Sequence, residues 1–323
     1  MASISIEWNS GDFDPFVSPV SLHLPTPYTA RGTEPKNHPH SPRPAAWTRH
    51  ALAMPRSVTS SSKRSPGPPK VVAVVNQKGG VGKTTTAVNL AASVAAAERK
   101  TLLLDMDPQG NASSGIGVRP RTIERSVYDV LIGRASLKDV IVPTEIPALT
   151  LAPATQDLVA AELELVDEAD RATRLKGALT ALLAAEPGYE YVFVDCPPSL
   201  GLLTVNALTA ATRVLVPLQC EYYALEGLTH LMATIDRVKG GTNPGLEVEG
   251  IVLTMFDARN NLAHQVAEEV RRHFRVFDSV IPRNVRLSEA PSHGKPALLY
   301  DVQSKGAQGY LSLARELLQG AAG

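Results

Sequence analysis

A glycine-rich segment between an apolar strand and an alanine-rich helix constrains the fold of this chain more than any other feature. It reads KGGVGKTT over residues 78–85 and follows VVAVV at 71–75. Its glycines permit backbone angles and a close approach that a Cβ would forbid, so successive N–H groups can surround phosphate oxygens at a helix N-terminus. A merely structural turn would not need this spacing, the terminal Lys-Thr pair and the strand-loop-helix setting together. The segment therefore predicts a phosphate-binding loop, or P-loop.

The P-loop assigns roles to particular side chains. Lys83 is expected to reach the β- and γ-phosphates as a point charge, and the Thr84 hydroxyl to complete a Mg²⁺ shell otherwise made of phosphate oxygens and water. ATP and Mg²⁺ are therefore the expected cofactors. The predicted nucleotide-binding residues of the loop are Gln77, Lys78, Gly79, Gly80, Val81, Gly82, Lys83, Thr84 and Thr85.

From Val71 onward, strand-like and helix-like segments alternate, which is the pattern of a parallel α/β sheet. Strands are predicted at 71–75, 101–105, 149–152, 191–195, 213–218, 249–254 and 279–281. Helices are predicted at 83–97, 123–132, 171–185, 201–210, 224–239, 261–274 and 305–318. We therefore expect residues 70–323 to form one domain, with a single doubly wound, mostly parallel sheet flanked by helices.

Residues 1–69 differ in composition from the rest of the chain. The first 70 residues contain 12 of the 25 prolines and both tryptophans, and carry eight Lys/Arg against four Asp/Glu, although the whole chain has 32 of each. Because such a segment buries too little apolar surface to fold alone, we expect a disordered extension. A secretory signal is excluded by the polar start, and the prolines oppose the helix of a transit peptide. A true start at Met54 or near Lys70 is an alternative.

Cysteine usage and hydropathy indicate the compartment. Cys196 and Cys220 both lie in apolar runs, which is typical of a reducing environment and argues against a disulfide scaffold. The longest apolar runs are short strand-like stretches, well below the roughly 20 residues that a membrane helix requires. We therefore expect a cytoplasmic protein without a membrane span.

Acidic residues end two of the predicted strands. Asp105 and Asp107, in LLLDMDPQGN at 102–111, have side chains on the same side of an extended chain, so both can address one phosphate site. Asp195 ends the apolar strand of YVFVDCPPS at 191–199. An acid in that position is typical of the Walker B arrangement, in which a carboxylate binds or orients Mg²⁺, although an isolated Asp195 could equally cap a turn.

The lysine before the glycine pair departs from the general P-loop pattern. Because Lys83 already serves one nucleotide, Lys78 has little room in the same loop and could reach the nucleotide of a neighbouring molecule. KGGVGKTT, with DMDPQGN at 105–111 and DCPPS at 195–199, resembles the deviant Walker A and companion motifs of the ParA/Soj partitioning ATPases, in their short chromosomal Soj type. The similarity covers roughly residues 70 to 318. It implies that Lys78 crosses the interface of a face-to-face dimer to the partner's phosphates.

The resemblance also implies roles for other residues. Asp107 would position the attacking water, Asp105 would support the switch loop, and Asp195 would belong to the magnesium shell. Pro282 and Asn284 would contact adenine. Apart from the resemblance, the segment PRN at 282–284 indicates only a turn after a strand. The expected catalytic residues are Lys78, Lys83, Asp105 and Asp107.

Cations concentrate in the last quarter of the chain. The run RRHFR at 271–275 is interpreted as a solvated helix face, whereas Arg259 and Arg286 match positions that bind DNA without sequence preference in the Soj type. Phosphate contacts need only such charges on one face, and a dimer would double the patch. The implied partners are nonspecific DNA on the nucleoid, a second copy in an ATP-dependent homodimer and a ParB-type centromere-binding protein that stimulates hydrolysis.

Two other functions share parts of this pattern. A MinD-like cell-division-site ATPase would also contain Lys78 and the P-loop, but it would end in an amphipathic membrane-targeting helix, and GYLSLARELLQGAAG lacks a basic face with bulky apolar residues. A nitrogenase-iron-protein-like reductase would hold an Fe–S cluster between subunits, with two cysteines per subunit converging on the dimer axis. Cys196 and Cys220 are the only cysteines available.

Overall fold

A seven-stranded sheet forms the centre of the computed structural model, which describes residues 67–320. The strands are β1 Lys70–Val74, β2 Thr101–Asp105, β3 Val142–Pro143, β4 Leu149–Ala152, β5 Tyr191–Asp195, β6 Arg213–Gln219 and β7 Glu247–Thr254. Their order across the sheet is β3-β4-β2-β5-β1-β6-β7. All neighbours pair in parallel except the edge strand β3, which is antiparallel to β4. The predicted fold class is confirmed, whereas the extension predicted over 1–69 falls outside the described residues up to residue 66.

The central strands are apolar on both faces because helices cover both sides of the sheet. Every residue of β2 and β5 is buried. Since β1, β2 and β5 are parallel, their carboxyl ends meet at one edge, where Asp195 pairs in register with Val74 on one side and Asp105 on the other. This carboxyl edge receives the P-loop from β1 and the acidic residues from β2 and β5.

The helices pack in two layers, one on each face of the sheet. In chain order they are α1 Lys83–Ala96, α2 Asn111–Gly115, α3 Val127–Leu131, α4 Leu137–Val140, α5 Leu158–Glu164, α6 Arg174–Ala185, α7 Leu202–Ala210, α8 Ala224–Gly240, α9 Asn261–His273, α10 Val285–Glu289, α11 Ala297–Tyr300 and α12 Lys305–Gly320. Helices α3 to α9 contribute to one apolar core, and α1, α2, α11 and α12 contribute to the other. Between residues 67 and 320, no helix is both long and apolar enough to cross a membrane.

Local capping sets one boundary that periodicity placed too early. The helix predicted over 123–132 begins only at Val127, because Ser126 closes its N-terminus. The Ser126 hydroxyl accepts a hydrogen bond from the Tyr128 N–H at 3.3 Å, and the Ser126 N–H donates to Asp129 at 2.8 Å. This reciprocal capping box satisfies N–H groups that have no acceptor within the helix once it begins at Val127.

The strand predicted at 279–281 is wrong. The chain there runs beside β7 and the Ile281 N–H donates to the Leu253 carbonyl at 2.8 Å, but the pairing consists of isolated bridges, Ile251 with Val276 and Phe256 with Pro282, and forms no continuous ladder. A proline has no N–H with which to extend a ladder. The sheet has seven strands because of β3, which the sequence does not predict. At two residues, β3 is too short to show an alternating pattern.

Two glycines from distant parts of the chain meet near the carboxyl edge. Gly117 follows α2, and Gly294 follows the 3₁₀ turn Ala290–His293. Both have positive φ, of +94° and +63°. A Cβ on Gly294 would lie 2.8 Å from the Cα of Gly117, closer than real Cβ atoms approach backbone. The segment after α2 therefore packs closely against the loop after α10.

Substitution of Gly294 tests whether this contact holds the fold. We expect Gly294→Ala to lower the free energy of unfolding by about 1–3 kcal/mol, because it combines a positive φ with a backbone clash. Gly227→Ala is the matched control: Gly227 lies inside α8 with nothing within 4 Å of its Cβ position, so the change should stabilise by up to about 1 kcal/mol. Urea unfolding measures both variants. Wild-type stability of Gly294→Ala would show that the two loops separate freely.

Candidate active site

Side chains from the ends of β1 and β7 hold the P-loop in place. The Asn76 amide donates to the Pro217 carbonyl at 2.7 Å, and its oxygen accepts the Lys78 N–H at 2.9 Å. At the other end of the loop, the Thr254 hydroxyl donates to the Val81 carbonyl at 2.8 Å. The loop is therefore fixed to β6 on one side and to β7 on the other.

The backbone of the loop has the conformation that its glycines permit. Gly80 and Gly82 have φ of +75° and +86°, and Gly82 precedes the first turn of α1. A Cβ on Gly79 or Gly80 would meet nothing within 4 Å, so both glycines border open space rather than packed protein. The predicted phosphate-binding residues 77–85 are thus brought together at one helix N-terminus.

Lys83 is buried behind the loop. Only 6% of the residue is exposed, and its ammonium donates to the Lys78 carbonyl at 3.0 Å. Burial lowers the pKa of Lys83, and the negative charges of Asp195 and Asp107 oppose that shift. The side chain is thus a fixed cation among carboxylates, and its ammonium is bound to a neutral carbonyl that phosphate oxygens can replace.

Asp105 is fully buried, and both of its carboxylate oxygens accept hydrogen bonds. One carboxylate oxygen accepts the Asp107 N–H at 3.1 Å, and the other accepts the N–H and hydroxyl of Ser113 at 2.8 and 2.7 Å. Burial raises the pKa of Asp105 to about 6, against the hydrogen bonds from Ser113. Ser113 lies in α2, so Asp105 ties that helix to the end of β2. Asp105 and Asp107 thus differ in surroundings although they share a face of the chain.

Asp107 and Asp195 complete the acidic group. Asp107 is 7% exposed and one of its oxygens accepts the Gln109 N–H at 2.9 Å. Asp195 is completely buried, and neither of its carboxylate oxygens has a hydrogen-bond partner within the described chain. Burial and the neighbouring charge of Asp105 both raise the pKa of Asp195, and the nearby Thr84 hydroxyl opposes that shift. Two unpaired buried acceptors are costly in a protein interior, unless a cation occupies the position beside them.

The donor set at Asp195 fits a magnesium ion. The free carboxylate lies at the end of β5, and the hydroxyl of Thr84 is available from the first turn of α1. Both are hard oxygen ligands, which Mg²⁺ prefers, and Mg²⁺ usually takes only one or two ligands from the protein and the rest from phosphate and water. The unsatisfied oxygens of Asp195 are the observation that this ion would explain.

Pro282 and Asn284 belong to the segment between the chain beside β7 and α10. Pro282 bridges to Phe256 just beyond β7, and the Asn284 oxygen accepts the Arg286 N–H at 3.0 Å as the N-cap of α10. A cleft of about 250 Å³ opens beside α1, lined by Thr84, Thr85, Val88, Asn89, Asn111, Ser114, Gly115, Ala290, Pro291 and Lys295. Neither Pro282 nor Asn284 lines this cleft, so their assignment to adenine stays a prediction.

The two predicted DNA-binding arginines are exposed but paired. The Arg259 guanidinium makes two hydrogen bonds to Asp257, at 3.0 and 2.9 Å, and with the bond from the Arg259 N–H they lower the pKa of Asp257 to about 2. Arg286 lies 2.7 Å from Glu289 and 3.3 Å from Asp301. The run at 271–275 lies at the exposed end of α9, in agreement with a solvated face. A DNA phosphate would therefore have to displace carboxylates from both arginines.

Two residues at the loop escaped sequence analysis. Asn76 anchors the P-loop, and Glu221, in the segment after β6, forms an ion pair with Lys78. Asn76 lies in the unassigned stretch between β1 and the glycines, where a polar residue ending a strand is a usable signal. Glu221 is 143 residues away from Lys78, and no local pattern connects them.

A parallel sheet whose carboxyl edge bears a phosphate loop, a buried lysine and Walker B-type acid defines a P-loop nucleotide-binding protein. A family model described as an AAA domain matches residues 69–248. The chain is 59% identical over 252 residues to the chromosome partitioning protein ParA of Myxococcus xanthus, with 77% of this chain and 88% of that protein covered. It is 51% identical over 251 residues to the chromosome-partitioning ATPase Soj of Treponema pallidum, with 77% and 97% covered.

The chain is also similar to a solved structure that holds nucleotide and magnesium. The cobyrinic acid a,c-diamide synthase of Mycobacterium smegmatis, solved with bound ADP and magnesium, superimposes with a TM-score of 0.69 at 37% identity, over 79% of this chain and 96% of that one. The chain therefore belongs to the ParA/Soj family of chromosome-partitioning ATPases. The family resemblance inferred from KGGVGKTT and its companion motifs is confirmed.

The unpaired oxygens of Asp195 lead to a stability test. We expect Asp195→Asn to raise the free energy of unfolding of the nucleotide-free protein at neutral pH by about 1–3 kcal/mol, because it removes a buried carboxylate without partners. The same variant should lose the additional stabilisation that ATP with Mg²⁺ gives the wild type. Urea unfolding with chelator, and again with Mg-ATP, measures both effects. Asp236→Asn, at an exposed position of α8, is the control and should change neither.

Proposed function

We propose that this protein is a Mg²⁺-dependent ATPase that binds nucleoid DNA as an ATP-bound dimer and releases it after hydrolysis. The observation that carries the nucleotide part of the proposal is the juxtaposition of buried Lys83 with the partnerless carboxylate of Asp195 behind the P-loop. The bound ADP and magnesium of the similar M. smegmatis structure support the same cofactors here.

The residues of the site divide the work of hydrolysis. Lys83 leaves the Lys78 carbonyl and binds the β- and γ-phosphates, where its charge opposes the charge of the transition state. Thr84 and Asp195 would hold Mg²⁺, which neutralises the phosphate oxygens when bound. Asp107 retains one carboxylate oxygen free of backbone hydrogen bonds and orients the attacking water. The water oxygen bonds to the γ-phosphorus as the bond from that phosphorus to the β-γ bridging oxygen breaks, the water protons pass to the phosphate product and to solvent, and ADP and phosphate are released.

A second copy completes the site in this proposal. Lys78 lies at the surface, 42% exposed, and its ammonium is directed away from the buried charges toward Glu221. Apolar side chains are exposed in segments that follow strands of the sheet: Tyr222 and Tyr223, after β6, are 75% and 67% exposed, and Leu163, in α5, is 75% exposed. An apolar surface around an incomplete nucleotide site is what an ATP-dependent homodimer would cover.

Dimerisation explains how nucleotide controls DNA. Arg259 and Arg286 give each subunit two cations near the ends of β7 and α10, and a dimer presents both sets to one duplex, so affinity rises by avidity. A ParB-type partner bound at the centromere would stimulate hydrolysis and return the protein to monomers. The proposal places the protein in the cytoplasm, associated with the nucleoid.

The two alternatives have less support. A MinD-like function needs a C-terminal amphipathic helix free to bind lipid, but the apolar face of α12 is already packed against α1, and its buried Tyr310 hydroxyl lies 3.1 Å from that of Thr86. An Fe–S reductase needs thiolates at a subunit surface. Cys196 and Cys220 are both buried, and burial raises the pKa of Cys196 strongly and that of Cys220 to about 11.

Two substitutions separate nucleotide binding from hydrolysis. Lys83→Ala should abolish ATP binding, because it removes the fixed cation that faces the β- and γ-phosphates. Asp107→Ala should bind ATP normally, hydrolyse it at least about 100-fold more slowly and remain dimeric. Equilibrium binding of a fluorescent ATP analogue, phosphate release and sedimentation velocity measure the three properties. Wild-type affinity of Lys83→Ala for ATP would rule out the proposed phosphate site.

DNA binding tests the rest of the proposal. We expect retention of nonspecific DNA with ATP but not with ADP or without nucleotide. Arg259→Glu and Arg286→Glu should each weaken that binding equally on all sequences and reduce its salt dependence, with ATP turnover in the absence of DNA unchanged. Lys138→Glu is the control, since Lys138, in α4, is an exposed cation that likewise forms an ion pair, with Glu186. If both arginine variants bound like wild type, DNA would contact another surface.

A further inference from the structure

The backbone and side chain of Lys78 are both held within its own subunit. Its N–H donates to Asn76 at 2.9 Å, its carbonyl accepts the Lys83 ammonium at 3.0 Å, and its own ammonium pairs with Glu221. Asn76 in turn donates to Pro217 in β6, the strand that leads to Glu221. The lysine and its carboxylate partner are therefore positioned by the same strand end.

Glu221 belongs to the surface that the proposed dimer would cover. The Glu221 N–H donates to Gln219 at 2.9 Å, which turns the chain directly after β6. Tyr222 and Tyr223 follow, and their exposed rings meet edge to face at 5.0 Å. The pair with Lys78 is itself accessible, with 42% of Lys78 and 46% of Glu221 exposed. An incoming subunit would reach the ion pair and the tyrosines together.

We propose that Glu221 is a positioning residue that holds Lys78 in its own subunit until a second, nucleotide-loaded copy offers its phosphates. This inference rests on the proposed function, in which Lys78 serves the partner's nucleotide. One exposed carboxylate binds an ammonium weakly, typically by about 0.2–1 kcal/mol. A triphosphate carries several negative oxygens and takes the lysine from it, so the contact weakens dimerisation but does not prevent it.

The Lys78 peptide links this exchange to nucleotide binding. Before nucleotide arrives, the Lys78 carbonyl accepts Lys83 while the Lys78 ammonium is bound to Glu221. Binding of phosphate draws Lys83 away from that carbonyl and leaves the segment before the glycines with one contact fewer. Release from Glu221 is then the remaining step before Lys78 can cross to the partner. Because nucleotide binding comes before release of Lys78 from Glu221, this sequence of steps favours dimers in which both copies already hold nucleotide.

The test compares dimerisation of Glu221→Gln with that of wild type. Each protein is titrated with a non-hydrolysable ATP analogue and Mg²⁺, and the dimer Kd is measured by sedimentation velocity. Two ion pairs are released per dimer, so Glu221→Gln should tighten the dimer by about 2- to 30-fold. Affinity of the monomer for the analogue should stay within about twofold of wild type, because Glu221 does not face its own subunit's phosphates.

A nearby acid provides the matched control. Glu226, in the first turn of α8, is exposed, has no ion pair among residues 67–320, and carries the same charge five residues away. Glu226→Gln should leave the dimer Kd unchanged. Because added salt screens an exposed pair, the advantage of Glu221→Gln should shrink as salt rises. A merely structural role for Glu221 would not give this salt dependence.

The possible outcomes distinguish a failure of the inference about Glu221 from a failure of the proposed function. If wild type dimerises with the analogue and Glu221→Gln dimerises equally or more weakly, Glu221 does not restrain Lys78 and the inference is wrong, while the proposed function stands. Equal tightening by Glu226→Gln would likewise overturn it, because general loss of negative charge would then explain the effect. If wild type itself forms no nucleotide-dependent dimer, the proposed function fails first and the inference with it.

Discussion

Two neighbouring buried carboxylates are the constraint on which the site depends. Asp105 and Asp195 end adjacent parallel strands in register, and strands in a sheet lie about 4.8 Å apart. Two such charges without water repel each other, so their environments must differ. The structure gives Asp105 three donors and leaves Asp195 with none. One acid thereby becomes part of the scaffold, and the other keeps its oxygens unpaired, as the proposed cation site requires.

The same strand ends distribute the chemistry over the chain. The P-loop follows β1 but is hydrogen-bonded through Asn76 to β6 and through Thr254 to β7, the strands that lead into the next segments of the site. Glu221 comes after β6, and Arg259 comes after β7. On the other side, Ser113 connects Asp105 to α2, which the Gly117–Gly294 contact seats against the loop after α10. Nucleotide contacts and the candidate DNA contacts therefore share one supporting framework.

The sequence predicted best those features that a few consecutive residues determine. The P-loop, β5 and its terminal Asp195 were placed correctly because strand, turn and helix signals coincide there. The edge strand β3 and the bridge at Pro282 were missed or misassigned because pairing partners, not local periodicity, decide whether such short segments count as strands.

The site shows the same limit for side chains. Residue types and spacing predict Lys83, Asp105, Asp107 and Asp195 as site residues. They do not predict that Asp105 and Asp107 have different surroundings, since three backbone and side-chain donors converge only on Asp105. The Lys78–Glu221 pair depends on the sheet order, which brings β6 beside β1. By contrast, the pairing of Arg259 with Asp257 is local, and two opposite charges two residues apart before an Asn-capped helix could have indicated it.

Pairing of the arginines changes how DNA affinity should arise in the proposed function. An exposed arginine with a carboxylate at 2.7 to 3.0 Å has little net charge to offer, so a phosphate gains only the difference between two similar contacts. One subunit with two such sites then binds weakly. Because free energies from linked sites add once both subunits are joined, small gains per arginine become a large difference between monomer and dimer. Paired arginines thus keep a single subunit weakly bound, so that appreciable DNA binding requires the dimer.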